Sequence, residues 1–229
     1  MARKDRAPNP PKKPQAPQRR STPSGPRDAQ RRRLLYILAA TGLVGLAIVL
    51  GVVFLTGGGD KDLAATMESA GCQLKTVQAQ VGNHSAAENA TSNPKWNTDP
   101  PTSGPHFPVP AVYGEYDSPL KPAQFVHNLE HGAVFVLYGP KVPAATVTQL
   151  SDFYNEDTTG MLLAPYPKLG DKIALGAWTS PAPGSSEIGT GHLAKCTAVN
   201  KGAFEAFLSA FRGRGPENGN LDLLQPGGT

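Results

Sequence analysis

The chain is poor in cysteine. Only Cys72 and Cys196 occur among its 229 residues, and no Cys-x-x-Cys is present. A thioredoxin-type redox centre is therefore excluded. Histidine is absent from the first 83 residues, and no internal repeat is visible. Net positive charge is missing from everything after residue 33. The opening 33 residues hold 11 Lys/Arg against two acids, a net of +9, whereas the remaining 196 hold 11 against 16, a net of −5. The overall charge of +4 thus belongs to a tail and describes no folded surface. A cationic globular nucleic-acid binder is excluded as the default, and no nucleic-acid partner is expected.

Residues 1–33 carry seven prolines and almost no apolar side chains. Such a segment cannot bury enough apolar surface to offset its ordering entropy, so a disordered tail is expected. Residues 34–55, LLYILAATGLVGLAIVLGVVFL, then run for 22 positions without a charge. At about 1.5 Å per residue, such a helix spans roughly the 30 Å of a bilayer's hydrocarbon core. Arg31, Arg32 and Arg33 abut its N-terminal end. The positive-inside rule places the tail in the cytoplasm and the rest of the chain outside, on a single-pass cell-membrane anchor. A cleaved signal peptide fits less well: its apolar stretch runs about 7–15 residues and ends at a small-residue cleavage site. Residues 56–62 form a linker, 63–217 the extracytoplasmic domain, and 218–229 a tail expected to fray.

Both cysteines lie beyond the span. An even pair in an oxidising compartment reads as one structural disulfide, Cys72–Cys196. Closing so long a loop stabilises a fold by about 5 kcal/mol in the chain-entropy account.

Within the domain, Leu63 to Val81 reads as a short helix and a strand broken at Gly71-Cys72. Residues 84–122 carry eight prolines and read as an ordered, functional loop. Ala133 to Tyr138 is a continuous apolar run ended by Gly139-Pro140, which marks a buried strand. Pro143 to Tyr154 has helical spacing, and Met161–Ala164 and Ile173–Thr179 are further strands. Asn200 caps a helix running to Arg212, with Ala203, Phe204, Phe207, Leu208 and Phe211 as its buried stripe. The expected fold is one α+β domain, a small sheet with flanking helices around a β-α-β-β-α core.

All five histidines lie in this domain, and four (His84, His106, His127 and His131) fall within 48 residues. Imidazole is the commonest protein ligand for zinc and copper. His127-Asn128-Leu129-Glu130-His131 is the sharpest element. On one helical turn its two imidazoles share a face with Cβ atoms about 6 Å apart, close enough to share a metal. Extended, they stand about 13 Å apart and cannot. Gly132 and the following strand leave room for a single turn. The expected ligands are His84, His106, His127 and His131, with Glu130 as the carboxylate that orients an imidazole. Zinc or copper fits, and imidazole does not choose between them.

The same five residues spell H-x-x-E-H, in which a helical Glu acts as base beside two zinc-bound histidines. That pattern belongs to long helices, which a Gly followed by AVFVLY contradicts. Only a zinc hydrolase would make Glu130 catalytic; no other catalytic residue is expected. Ser103, in TSGPH, lacks a nucleophile elbow and reads as a turn residue. A third reading is an envelope interaction module, in which the Pro-rich loop presents Trp96, Phe107 and Tyr113 to a protein partner. His192 stands apart from all three.

NTDPPTSGPHFP (97–108), VHNLEHGAVFVLYGP (126–140), LAPYP (163–167), ALGAW (174–178) and RGRGPE (212–217) together resemble a bacterial family, domain of unknown function 3105. The resemblance covers about residues 70–217. It implies a membrane-anchored or exported domain and no defined chemistry. Its motif positions fall on His84, His106, His127, Glu130 and His131; His192 and both cysteines lie outside them.

Overall fold

A computed structural model describes residues 59–84, 94–182, 188–217 and 224–228. The chain divides into Met1–Leu55 and Thr56–Thr229, and the first unit lies wholly outside the described residues. So do the basic tail and the 34–55 span. Among the described residues no helix is long and apolar enough to cross a membrane.

The second unit is α+β. In chain order it contains α1 (Gly59–Ser69), β1 (Cys72–Gln78), β2 (Gly114–Glu115), α2 (Pro122–Glu130), β3 (Val134–Tyr138), α3 (Ala144–Glu156), β4 (Met161–Pro165), β5 (Ile173–Thr179), β6 (Thr190–Cys196) and α4 (Lys201–Phe211). The strands form one mixed sheet in the order β1-β6-β5-β3-β4-β2. The β3–β4 and β2–β4 pairs are parallel, and the others are antiparallel.

The central strand explains the sheet. In β3, Val134 and Val136 join one apolar cluster while Phe135 and Leu137 join another. Both faces are covered, so the strand reads as an unbroken apolar run and not as an alternation. One face packs against α1, α3 and α4 through Leu63, Met67, Leu150, Phe153, Phe204 and Phe207. The other is covered by α2 and the long loop, through Phe125, Leu129, Ala111 and Tyr113. Gly176 of β5 has no side chain because the Phe135 ring occupies that space: a Cβ there would stand 2.0 Å from Cζ. Asn200 caps α4, its side chain accepting from the Ala203 amide, as expected. The disulfide joins Cys72 and Cys196, directly opposite each other on β1 and β6.

Three expectations need correction. First, α2 is a nine-residue helix where a single turn was expected. Pro122, which reads as the last of the loop prolines, instead stands in the first turn of the helix, where its missing N–H costs nothing. Second, β6 is an additional strand. Its TGHLAKC sequence lacks a local β signature, and its place is fixed by non-local pairing on both sides, to β5 and β1. Third, the described part of the C-terminal tail is docked, not frayed. Leu224 is buried, the Gly160 amide donates to its carbonyl, and Tyr113 exchanges backbone hydrogen bonds with Gly227 and Gly228.

Candidate metal centre

The loop between β1 and α2 is held over the sheet by its own polar residues. The Thr98 hydroxyl accepts from the Thr102 amide, and the Ser103 hydroxyl from the Gln80 amide. Ser103 is thus a buried strut between the loop and Gln80. The Trp96 indole donates to the Pro105 carbonyl. A parallel bridge between Asn83 and Pro105 sets the next residues, His84 and His106, side by side. Asn128 does the corresponding work on α2: its amide accepts from the Ala111 N–H at 2.9 Å and donates to the Ala111 carbonyl at 2.8 Å. That pair of hydrogen bonds clamps the loop to the helix, and it gives the Asn of HNLEH a role that spacing alone does not reveal.

These constraints bring three imidazoles together. The ring centroids of His84, His106 and His127 are 5.0, 4.9 and 4.8 Å apart pairwise. Glu130, one turn along α2 from His127, places Oε2 3.0 Å from His106 Nε2. One ligand atom from each of these four residues lies within 4.8 Å of all the others. A tetrahedral zinc shell with bonds of about 2.0–2.1 Å has edges of about 3.3 Å, so a modest inward movement of side chains would close it. Gly82 makes room for the carboxylate, since a Cβ there would stand 2.2 Å from Glu130 Oε1.

The proton inventory is informative. His106 Nδ1 lies 2.8 Å from the Gly104 carbonyl, and His127 Nδ1 lies 2.7 Å from the Phe107 carbonyl. A carbonyl only accepts, so both Nδ1 atoms carry the proton, and in the neutral ring the lone pair is on Nε2. Burial, partly opposed by the Phe107 hydrogen bond and reinforced by the neighbouring imidazoles, pushes the His127 pKa down to about 4. His127 is therefore a neutral ring at physiological pH. For Glu130, burial alone would favour the neutral acid. The His106 hydrogen bond and the charges of His106, His127 and His84 outweigh that and hold its pKa below the ordinary carboxylate value. An ionised carboxylate thus faces a ring nitrogen in a buried place. Apart from each other, His106 Nε2 and Glu130 Oε2 have no hydrogen-bond partner among the described residues. Two acceptors at that distance need a proton or a metal cation between them.

The structure redistributes the expected ligands. Glu130 shares one candidate donor set with His84, His106 and His127, while His131 falls into a neighbouring set with His127 and Glu217. Consecutive helical residues project about 100° apart, so Glu130 and His131 cannot both face one point. His131 stacks on His127 with centroids 4.8 Å apart and a 17° interplanar angle, as the helical i,i+4 geometry requires. His192 is elsewhere, on β6 between the Thr179 hydroxyl and the Phe211 ring. The aromatics expected to face a partner point inward: Phe107 and Tyr113 are buried and Trp96 is half-buried. The loop uses them to pack on the fold.

The family model for proteins of unknown function, DUF3105, matches residues 88–222. The chain belongs to this family. No curated protein and no solved structure matches it. The matched part of this DUF3105 domain contains His106, His127, Glu130, His131, Glu217 and Cys196. Cys72 and His84 fall before it, so the family's segment is narrower at this end than the resemblance implied.

Proposed function

We propose that this domain holds a divalent transition-metal ion, zinc or copper, through the Nε2 atoms of His106 and His127, the Glu130 carboxylate and the His84 imidazole. The single observation that carries the reading is the convergence of four ligand-bearing side chains: His106 and His127 have Nδ1 held by backbone carbonyls, His106 Nε2 stands 3.0 Å from the Glu130 carboxylate, and one ligand atom from each of these residues and His84 lies within 4.8 Å of the others. Carbonyl-anchored Nδ1–H groups are the support that metal-ligating histidines ordinarily have. A donor set of imidazole and carboxylate without sulfur suits Zn(II) or Cu(II) better than Cu(I). Both cysteines are tied in the disulfide, and Met67 and Met161 belong to the opposite face of the sheet.

The domain works outside the cytoplasm on a single-pass anchor formed by residues 34–55. Support comes from the charge-free span, the arginines before it, and a disulfide of the kind kept in oxidising compartments. A hydrolase is the weaker reading. Its base must sit one water away from the metal, whereas Glu130 stands directly against a ligand nitrogen.

Elemental mass spectrometry of the purified 229-residue chain tests the proposal. The expected result is one zinc or copper per chain, lost in His106→Ala and in His127→Ala while the disulfide and the fold remain. A folded wild-type chain that stays empty after challenge with both ions overturns it.

A further inference from the structure

We infer that His131 and Glu217 form a second, outer cation site from which a divalent ion is passed to His127 and the inner set. The inference rests on the reading of the inner set as a metal centre. His127, His131 and Glu217 offer ligand atoms within 4.8 Å of one another, and His131 Nε2 stands 3.7 Å from Glu217 Oε2. Unlike His106, which is fully buried, these two side chains are 32% and 48% exposed. His127 thus belongs to both a buried and an exposed donor set.

It cannot serve both at once. Its Nδ1–H is committed to the Phe107 carbonyl, so only Nε2 has a lone pair to give. An ion on His131 and Glu217 therefore has two protein ligands and otherwise water, and it exchanges faster than one in the four-donor inner set. Inward passage is a ligand exchange without electron transfer. His127 Nε2 bonds to the ion, the His131 and Glu217 bonds break, and His106 Nε2 and the Glu130 carboxylate take their places. The waters of the outer ion return to solvent.

Besides anchoring Arg212 to Asp157 and the Thr159 carbonyl, the RGRGPE segment builds this outer pair. The Gly213 amide donates to the Gly132 carbonyl at 2.8 Å, and the Glu217 amide to the Glu130 carbonyl at 3.1 Å. The segment thus lies along the end of α2. Glycine is required for the approach: a Cβ on Gly215 would stand 2.2 Å from the Glu130 carbonyl oxygen, and Gly132 adopts φ +93°.

The test strips the purified 229-residue chain of metal and titrates it with Zn²⁺ against a chromophoric chelator. Loading rates are then read by stopped flow. Wild type should show one tight and one weak zinc. His131→Ala/Glu217→Gln should keep the tight ion, lose the weak one and load about tenfold more slowly, the scale on which loss of a supporting group acts at metal sites. If the double variant keeps both classes or loads at the wild-type rate, the outer site is refuted and the inner reading stands. If wild type binds no zinc and, titrated in the same way, no copper, both fall together.

Discussion

The two faces of the sheet are built by different rules. On the face covered by α1, α3 and α4 the buried side chains are apolar almost throughout, from Leu63 to Phe211, and the disulfide closes that side. On the face covered by α2 and the long loop, apolar packing is interrupted by buried Thr98, Thr102, Ser103, His106, His127, Asn128 and Glu130. Buried polar groups cost free energy unless they are partnered. Most of these are partnered by backbone, but among the described residues His106 Nε2 and Glu130 Oε2 have only each other. One face therefore serves stability, and the other exchanges some stability for a cluster of donors.

Reducing Cys72–Cys196 tests the first face and should have the largest effect. With a sequence separation of 124 between the cysteines, the fold should lose about 5 kcal/mol in the chain-entropy account, read as a lower denaturation midpoint. Metal bound to the chain that remains folded should be unaffected. A coupled loss of metal at low denaturant would break the division between the faces.

Asn128→Ala comes next, because it strikes the loop face without touching a donor. Leaving the Ala111 amide and carbonyl without their partner should cost about 1–3 kcal/mol. Metal affinity should fall about 10–100-fold, since the loop that positions His106 is no longer clamped to α2. Unchanged affinity, measured by chelator competition, would mean the loop holds its shape by packing alone.

Lowering the pH acts on the same face in a graded way. The folded pKa of His127 is depressed from 6.5 to about 4, so the native chain binds fewer protons than the unfolded one between those values. Stability of the metal-free protein is accordingly full above 6.5 and lost as pH falls through about 4. The depressed Glu130 adds to the loss at the acid end, because its contribution is present above its ordinary value of 4.5 and disappears below. Denaturant melts across that window should show this slope, and His127→Ala should remove the part between about 4 and 6.5, leaving the Glu130 contribution at the acid end.

The smallest effect on stability belongs to Glu130→Gln, and it sharpens the comparison most. A neutral amide can donate to His106 Nε2 and removes a buried charge, so the metal-free variant should melt at or slightly above the wild-type temperature. Metal binding should nevertheless be lost. A strongly destabilised variant would mean that the carboxylate serves the fold.

What was legible in the sequence follows the same division. The helical face was readable because its signals are local: the apolar run of β3, the stripe and cap of α4, and the parity of the cysteines. The loop face was readable only in part. The i,i+4 pair in HNLEH allowed a helical turn without excluding an extended one, and TSGPH marked His106. The full length of α2 was hidden by Pro122 and by a stripe interleaved with buried His127, Asn128 and Glu130. Which of Glu130 and His131 meets His106 depends on where the loop comes to rest, a contact between residues far apart in the chain. Glu217 had no signal beyond the glycine spacing of RGRGPE, whose meaning appears only when that segment is seen against Gly132.

X-ray absorption at the zinc edge, on the zinc-loaded chain, tests the central claim most directly. The account predicts a first shell of nitrogen and oxygen alone at about 2.0–2.1 Å, with the outer scattering of imidazole rings and no sulfur. Sulfur at about 2.3 Å, or a shell of water oxygens without imidazole scattering, would contradict it.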